Sequence, residues 1–305
     1  MNNIFFTLSI VVITMNRRDQ LIEALQSCLE SKLPEKTEFI IIDNHSTDGT
    51  EGAIKKLFEG KNLIYTYKYM EENKGVGGGR NEGFKYAKGE YVYFLDDDAV
   101  IADESKNSFF LKSIEIFEKN SDVSTITTRV WDELFGYDRP VIASKIKKVG
   151  NCSTISMFLG TSNFIRASAF SKPLYPDFKY AYEEIIPSFL TIDRGRYNVY
   201  LPEVAIEHRP RVNKWKKGSD LSKEIICREN AGLLASKYLL YPSLFRPLIY
   251  IAFLTRWYVH LRKHSGAFQD SFKIFKEQTK DIKIQKIKYR TVFKIFREFG
   301  FGAGV

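Results

Sequence analysis

The chain predicts an α/β fold in which a mainly parallel sheet is covered by helices. Over the first 130 residues, short apolar runs rich in β-branched residues alternate with amphipathic stretches. Polar and acidic clusters follow directly on the apolar runs, and open parallel sheets bind ligands beyond the carboxyl ends of their strands. No internal repeat and no low-complexity linker interrupts this rhythm.

The strands fall at residues 8–13, 39–43, 63–67, 91–95 and 123–127, and the helices at 20–29, 52–58, 83–87 and 109–117. The run from Leu8 to Ile13 has no positive charge ahead of it and no small-residue cleavage site after it, so it reads as a first strand rather than a leader. A further strand is expected at 198–201. Residues 210–222, with Arg211, Lys214, Lys216 and Lys217 next to Arg209, read as a mobile cationic loop. From about Lys223 the pattern is helical, through the breaks at Pro242 and Pro247 and on to the end.

A length of 305 residues suffices for one well-buried domain and a smaller appendage, and 44% hydrophobic with 27% charged residues excludes general disorder. Cys28, Cys152 and Cys227 are too scattered for a disulfide framework or a metal knuckle, which points to a reducing compartment and packing roles. No segment has the roughly 18 to 20 uninterrupted apolar residues that span a bilayer. The net charge of +9 is concentrated at one end: between Arg256 and Glu298 stand twelve Lys or Arg against four acids. No nucleic-acid motif accompanies that charge, so nucleic acid is not the expected partner.

The chemistry-bearing feature is Asp96-Asp97-Asp98 after Tyr91-Val92-Tyr93-Phe94-Leu95. Three carboxylates at the lip of a sheet repel one another unless a cation sits among them. Oxygen donors without cysteine favour Mg²⁺ or Mn²⁺, whose usual task is to bridge protein to phosphate, so a nucleotide is the expected partner. Asp43 also ends a strand, where an acid holds a ribose or a base, or else shapes a helix start with Ser46 or Thr47 as cap. The cluster Gly75-Val76-Gly77-Gly78-Gly79-Arg80-Asn81 is similar to a phosphate loop and presents Arg80 and Asn81 at a helix start, but it fails the dinucleotide fingerprint and lacks a GK[ST].

The order of these segments carries a resemblance. Ser9 to Arg17, Ile41 to Thr50, Asn73 to Gly83 and Phe94 to Asp98 together resemble the family 2 glycosyltransferases, inverting nucleotide-sugar enzymes of GT-A fold. The resemblance extends over about residues 8–240. It implies a GT-A catalytic domain over 1–215, with a nucleotide-binding half at about 1–98 and an acceptor half at 99–215, followed by a basic, aromatic helical region over 216–305. By resemblance, Thr14, Asn16, Arg17 and Asp43 line the nucleoside pocket, and Asp96 with Asp98 forms the DxD element. Asn44, Gly75, Arg80, Asn81 and Asp97 complete the donor-side set. His208 is similar to a histidine that completes the metal site with Asp98 and Asp96.

Tyr180-Ala181-Tyr182-Glu183-Glu184 is similar to an acidic pair at a helix start whose second member is the base, which makes Glu184 the base and Glu183 the alternative. The same acids at a helix N-terminus would complement its dipole. Gly160 and Arg166 match a strand-turn segment near the acceptor. The implied activity moves a sugar from a UDP- or dTDP-type donor to a hydroxyl of a glycan or polyprenyl-linked acceptor in surface polysaccharide synthesis. From charge and position alone, the cationic loop from Arg209 to Lys217 is expected to close on the diphosphate, with Arg228 on the same rim. A nucleotidyltransferase would carry a glycine-rich basic loop after its first strand, and residues 14–19 contain none. A catalytically silent scaffold would not need acids at 43, 96, 98 and 184.

The C-terminal region repeats aromatics at helical spacing, Phe268, Phe272 and Phe275, then Phe293, Phe296 and Phe299, with lysines between them. These are expected to rest on the cytoplasmic face of a membrane, the alternative being that they pack on the catalytic domain or on a second subunit. A homo-oligomer is compatible with the latter.

Overall fold

The computed structural model describes residues 6–176, 178, 182–210, 220–280 and 282–304. The chain opens with β1 (Phe6–Thr14), α1 (Arg18–Leu29), β2 (Thr37–Asp43), α2 (Thr50–Phe58), β3 (Ile64–Tyr69), α3 (Gly75–Tyr86) and β4 (Gly89–Asp96). There follow β5 (Ala99–Ile101), α4 (Phe109–Lys119), β6 (Val123–Asp132), β7 (Tyr137–Asp138), β8 (Ala143–Val149), β9 (Cys152–Ile155) and β10 (Ser162–Arg166). After α5 (Ile185–Asp193) and β11 (Tyr197–His208), the elements among the described residues are helices: α6 (Asp220–Leu240), α7 (Arg246–Arg256), α8 (Ala267–Thr279), α9 (Tyr289–Phe299) and the short α10 (Phe301–Gly304).

One sheet holds all eleven strands in the order β3-β2-β1-β4-β10-β6-β11-β9-β8, with β5 and β7 paired at its side. The pairs β3–β2, β2–β1, β1–β4 and β6–β11 are parallel, and β10 runs antiparallel between β4 and β6. Alternation along β1 sends Leu8, Ile10 and Val12 into a core with Leu21, Leu25, Phe39 and Phe109 under α1, α2 and α4. Val11 faces the other side, with Ile40, Ile42, Phe84 and Phe94. Cys28, Cys152 and Cys227 are buried free thiols, as expected.

The glycine cluster is a correction. It is the first part of α3 rather than a phosphate loop, and the helix begins eight residues before the apolar pattern alone suggests. Its glycines let the helix lie directly on the sheet. A Cβ on Gly79 would stand 2.7 Å from Cγ2 of Ile13, and one on Gly83 would overlap Cγ1 of Val11. Helix propensity is overridden here by the close approach of helix to strand.

The aromatic tail is a second correction. Phe275 is buried, and Phe268 and Phe272 pack beside it against Phe253 of α7, with ring centroids 5.8 to 5.9 Å apart. Phe296 and Phe299 also pack on this cluster, which includes Ile185, Phe189 and Ile192 of α5, while Phe293 stays exposed. The apolar faces of α8 and α9 therefore meet protein, as amphipathic helices usually do. The outward apolar stripe of the region lies on and just after α7, at Ile251, Leu254 and Tyr258. Among the described residues no helix is long and apolar enough to cross a membrane.

Gly83→Ala is expected to destabilise the fold by about 1–3 kcal/mol through overpacking against Val11, read as a lower denaturant midpoint. An unchanged midpoint would show that the helix–sheet contact relaxes freely.

Candidate active site

Parallel strands end on one side, so β1, β2, β4, β6 and β11 deliver Thr14, Asp43, Asp96, Asp132 and His208 to a single rim. Asp96, Asp98 and His208 bring one ligand atom each within 4.8 Å of one another. Two carboxylates and an imidazole form a donor set suited to Mn²⁺ or Mg²⁺, so the residues present fit the expected ion.

His208 Nε2 lies 3.2 Å from Asp98 Oδ1, and its Nδ1 lies 2.9 Å from Asp132 Oδ2. Arg139 donates from Nε to the same Asp132 oxygen at 2.7 Å, and its Nη2 stands 3.0 Å from His208 Nδ1. Burial favours the neutral imidazole, but the Asp98 contact outweighs it and holds the His208 pKa above its ordinary value. Asp132 and Arg139 were not foreseen. The rule that found Asp43 and Asp96, an acid closing an apolar strand, also selects Asp132.

Asp97 turns away from this group. It accepts hydrogen bonds from Thr14 Oγ1 at 2.7 Å and Arg17 Nη1 at 3.0 Å, and burial pushes its pKa up to about 7. Arg17 also reaches Asp98 at 2.8 Å and is 40% exposed, so it stands at the opening. Asn16, in the left-handed region with φ of 52°, accepts the N–H of Thr47 and ties the loop after β1 to the loop after β2.

Asp43 is buried and already accepts the Ser46 N–H and the Tyr67 hydroxyl, so it shapes the turn before α2 as well as facing the rim. Neither Ser46 nor Thr47 caps that helix; Gly49, with φ of 81°, precedes it. Asn44 is buried between Gly75 O and Lys74 N and fixes the start of α3. Asn81 is engaged by the backbone of Leu174 and Tyr175, an anchoring position rather than a donor contact.

Arg80 is the largest departure from expectation. It is not offered to a phosphate; its side chain is 3% exposed and lies among acids from two other segments. Nη2 binds Asp96 at 2.8 Å and the carbonyl of Gly160 at 2.9 Å, while Nη1 binds Glu183 at 3.0 Å and Glu184 at 3.4 Å. Glu183 and Glu184 sit just before α5, beside Tyr182 with its left-handed φ of 61°. Burial and the neighbouring Glu183 together raise the pKa of Glu184 above the usual carboxylate range. A Cβ on Gly160 would overlap Glu184 Oε1 and stand 2.8 Å from Arg80 Nη1, so any side chain there would displace the ends of both groups. Arg166 lies elsewhere, binding the carbonyls of Phe117, Asn120 and Val123 beneath the sheet.

A cavity of about 470 Å³ opens beside these acids, lined by Asp96, Glu183 and Glu184 and also by Glu229 of α6, Phe135 and Tyr137. Burial raises the Glu229 pKa. Nothing in the helical pattern of α6 marks that residue. Of the cationic loop, Arg209 pairs with Glu207 and donates its N–H to the carbonyl of Asp98, while residues 211–219 lie outside the described residues, as do 179–181. Arg228 pairs with Glu224 one turn earlier in α6.

Residues 9–172 match the family model "Glycosyl transferase family 2". The chain belongs to that family. Among curated relatives of this glycosyltransferase chain, the poly-beta-1,6-N-acetyl-D-glucosamine synthase of Staphylococcus epidermidis is 28% identical over 222 residues, 68% of this chain and 49% of the relative. An Escherichia coli UDP-Glc:alpha-D-GlcNAc-diphosphoundecaprenol beta-1,3-glucosyltransferase, WfaP, is 32% identical over 111 residues, 36% of this chain and 43% of that one. The chain thus spans about half the length of the first of these. Residues 1–349 of S. aureus TarS, solved with UDP-GlcNAc, superpose with a TM-score of 0.63 at 18% identity, covering 94% of this chain and 83% of that one. GalNAc-T7, solved with UDP, GalNAc and Mn²⁺, gives 0.64 at 14% identity, with 91% and 56% covered. The fold is GT-A with helices appended at its C-terminal end.

Arg80→Met is expected to cost about 3–5 kcal/mol of stability, since it leaves the buried Glu183 and the part-buried Asp96 and Glu184 close together without a counter-charge. Urea unfolding measures this, and a loss below about 1 kcal/mol would show that the cluster does not depend on the guanidinium.

Proposed function

We propose that this chain is an inverting, metal-assisted glycosyltransferase that moves a sugar from a UDP-sugar to a hydroxyl of a glycan or lipid-linked acceptor in surface polysaccharide synthesis. The observation that carries the reading is that Asp96, a member of the candidate metal group, and Glu184 line one cavity and are held side by side by the Arg80 guanidinium, so a leaving-group side and a base stand within reach of one substrate. UDP rather than dTDP is favoured by the UDP-GlcNAc in the TarS structure and the UDP-Glc in the name of the E. coli relative.

A bound Mn²⁺ or Mg²⁺ would supply charge neutralisation to the departing diphosphate, and Asp96, Asp98 and His208 would hold it. Arg17, half-exposed above Asp97 and Asp98, is placed to meet a phosphate oxygen. In the same cavity, Glu184 takes the proton of the acceptor hydroxyl. Glu184 suits this better than Glu183, because Arg80 binds Glu183 more closely and leaves Glu184 more accessible, with side chains 15% and 6% exposed respectively. Its raised pKa makes it a stronger base than an ordinary carboxylate while keeping it ionisable.

The acceptor is proposed to be membrane-linked, with the protein resting peripherally on the cytoplasmic face. The supporting surface is the stripe Ile251, Leu254 and Tyr258, with Arg262 and Lys263 just beyond it.

Asp98→Asn is expected to abolish Mn²⁺-dependent tightening of UDP binding with the fold intact, as seen by calorimetry with and without the metal. Metal-dependent binding equal to that of the wild type would remove Asp98 from the metal set. Glu184→Gln is expected to lower kcat by about 10²- to 10⁴-fold with donor affinity nearly unchanged. Should Glu183→Gln show the large loss instead, the roles of the pair are reversed. Because the base must be deprotonated and its pKa is raised, the wild-type rate should climb with pH through a range well above that of an ordinary glutamate. A rate already flat above pH ~5 would contradict the assignment, since an unperturbed glutamate titrates near 4.3.

A further inference from the structure

The hairpin between β6 and β7 has a composition that the donor chemistry does not explain. Phe135 and Tyr137 are 56% and 54% exposed, and their rings stack with centroids 5.7 Å apart at 25°. Both line the cavity that holds Glu184. Two large aromatic faces left in water at the mouth of a polar cavity are costly unless a ligand covers them.

The hairpin is built to keep them in place. Asp132 accepts the N–H groups of Leu134 and Phe135, Gly136 makes the turn with φ of 72°, and Tyr137 pairs back with Asp132 across the strands. Arg139 then ties the returning strand to Asp132 and to Thr161 Oγ1, 2.9 Å away on the cavity wall. The rings are therefore preorganised, so a ligand would lose little free energy in ordering them.

Charge decides what the ligand is. Asp96, Glu183, Glu184 and Glu229 face this cavity against two guanidinia, those of Arg80 and Arg139, and both are already engaged by carboxylates. A phosphate-bearing open-chain polyol has no flat apolar face to lay on the rings, and its phosphate would stand among carboxylates. A pyranose ring offers an apolar face of axial C–H groups to the aromatic rings and a rim of hydroxyls to the carboxylates. Resting on the reading of this cavity as the acceptor side, we propose that Phe135 and Tyr137 form the platform for a pyranose acceptor residue, so that the attacking hydroxyl belongs to a sugar ring rather than to a polyol phosphate chain.

Saturation-transfer NMR on the full chain tests this, with a panel of methyl pyranosides set against ribitol 5-phosphate. At least one pyranoside should bind the wild type, with affinity reduced 10-fold or more in Phe135→Ala and Tyr137→Ala and kept in Tyr137→Trp, while ribitol phosphate gives no signal. UDP affinity in the presence of Mn²⁺ should be unchanged in all three variants. No pyranoside signal in the wild type, equal binding of ribitol phosphate, or alanine variants that bind pyranosides normally would each overturn the platform. So would alanine variants that lose UDP affinity, or that lose only attachment to anionic vesicles, since those outcomes place the rings on the donor or on a lipid surface. Absence of UDP binding by the wild type would instead count against the proposed function, while the pyranoside arm still judges the platform.

Discussion

The buried guanidinium of Arg80 is the interaction on which the site is organised. Asp96 comes from the end of β4, Glu183 and Glu184 from the start of α5, and the Gly160 carbonyl from the turn before β10. Without a cation, three carboxylates this close would repel one another and draw protons. With one planar group donating to all of them, the acids are brought together at fixed separations. Only an arginine has enough donors in a fixed geometry for this; a lysine ammonium would not span them. The glycines of α3 follow from the same need, because they let the helix carrying Arg80 sit low on the sheet.

The second organising group is Asp132. A single fully buried carboxylate holds His208 on one side and the aromatic hairpin on the other, with Arg139 across both. A member of the candidate metal group and the rim of the cavity beside Glu184 thus share one anchor. A carboxylate at Nδ1 orients the His208 ring and turns Nε2 towards Asp98, the placement seen behind metal-binding histidines.

The C-terminal helices support the segment that carries Glu183 and Glu184. Ser236 of α6 donates a hydrogen bond to the carbonyl of Tyr182, at 2.9 Å, directly before the two glutamates. Tyr182 occupies a left-handed conformation that costs a non-glycine residue on the order of 1–3 kcal/mol and persists only when the surroundings hold it. The core shared by α5 with α6 to α9 supplies that support. Glu229 reaches the cavity from the same helix, so the helical region contributes to the site as well as to the fold.

Local patterning determined the α/β order, the strands and their polar ends, because burial on a sheet leaves a period in the sequence and ligand-bearing acids close the strands that carry them. The acids Asp96 and Asp98 were singled out on that basis, and His208, Glu183 and Glu184 through the resemblance; the fold gathers Asp96, Asp98 and His208 into one group and Glu183 and Glu184 beside Asp96. What tertiary structure alone decided is how side chains far apart in sequence are shared. In the sequence Arg80 reads as standing at a helix start like a phosphate ligand; it lies inside α3, and its burial among acids 16 to 104 residues away decides otherwise. The tail aromatics have the spacing of a membrane face, and whether such a face meets lipid or protein depends on what packs against it, here α7. Glu229, Phe135 and Tyr137 gave no local signal, because a cavity is made by elements that meet only after folding.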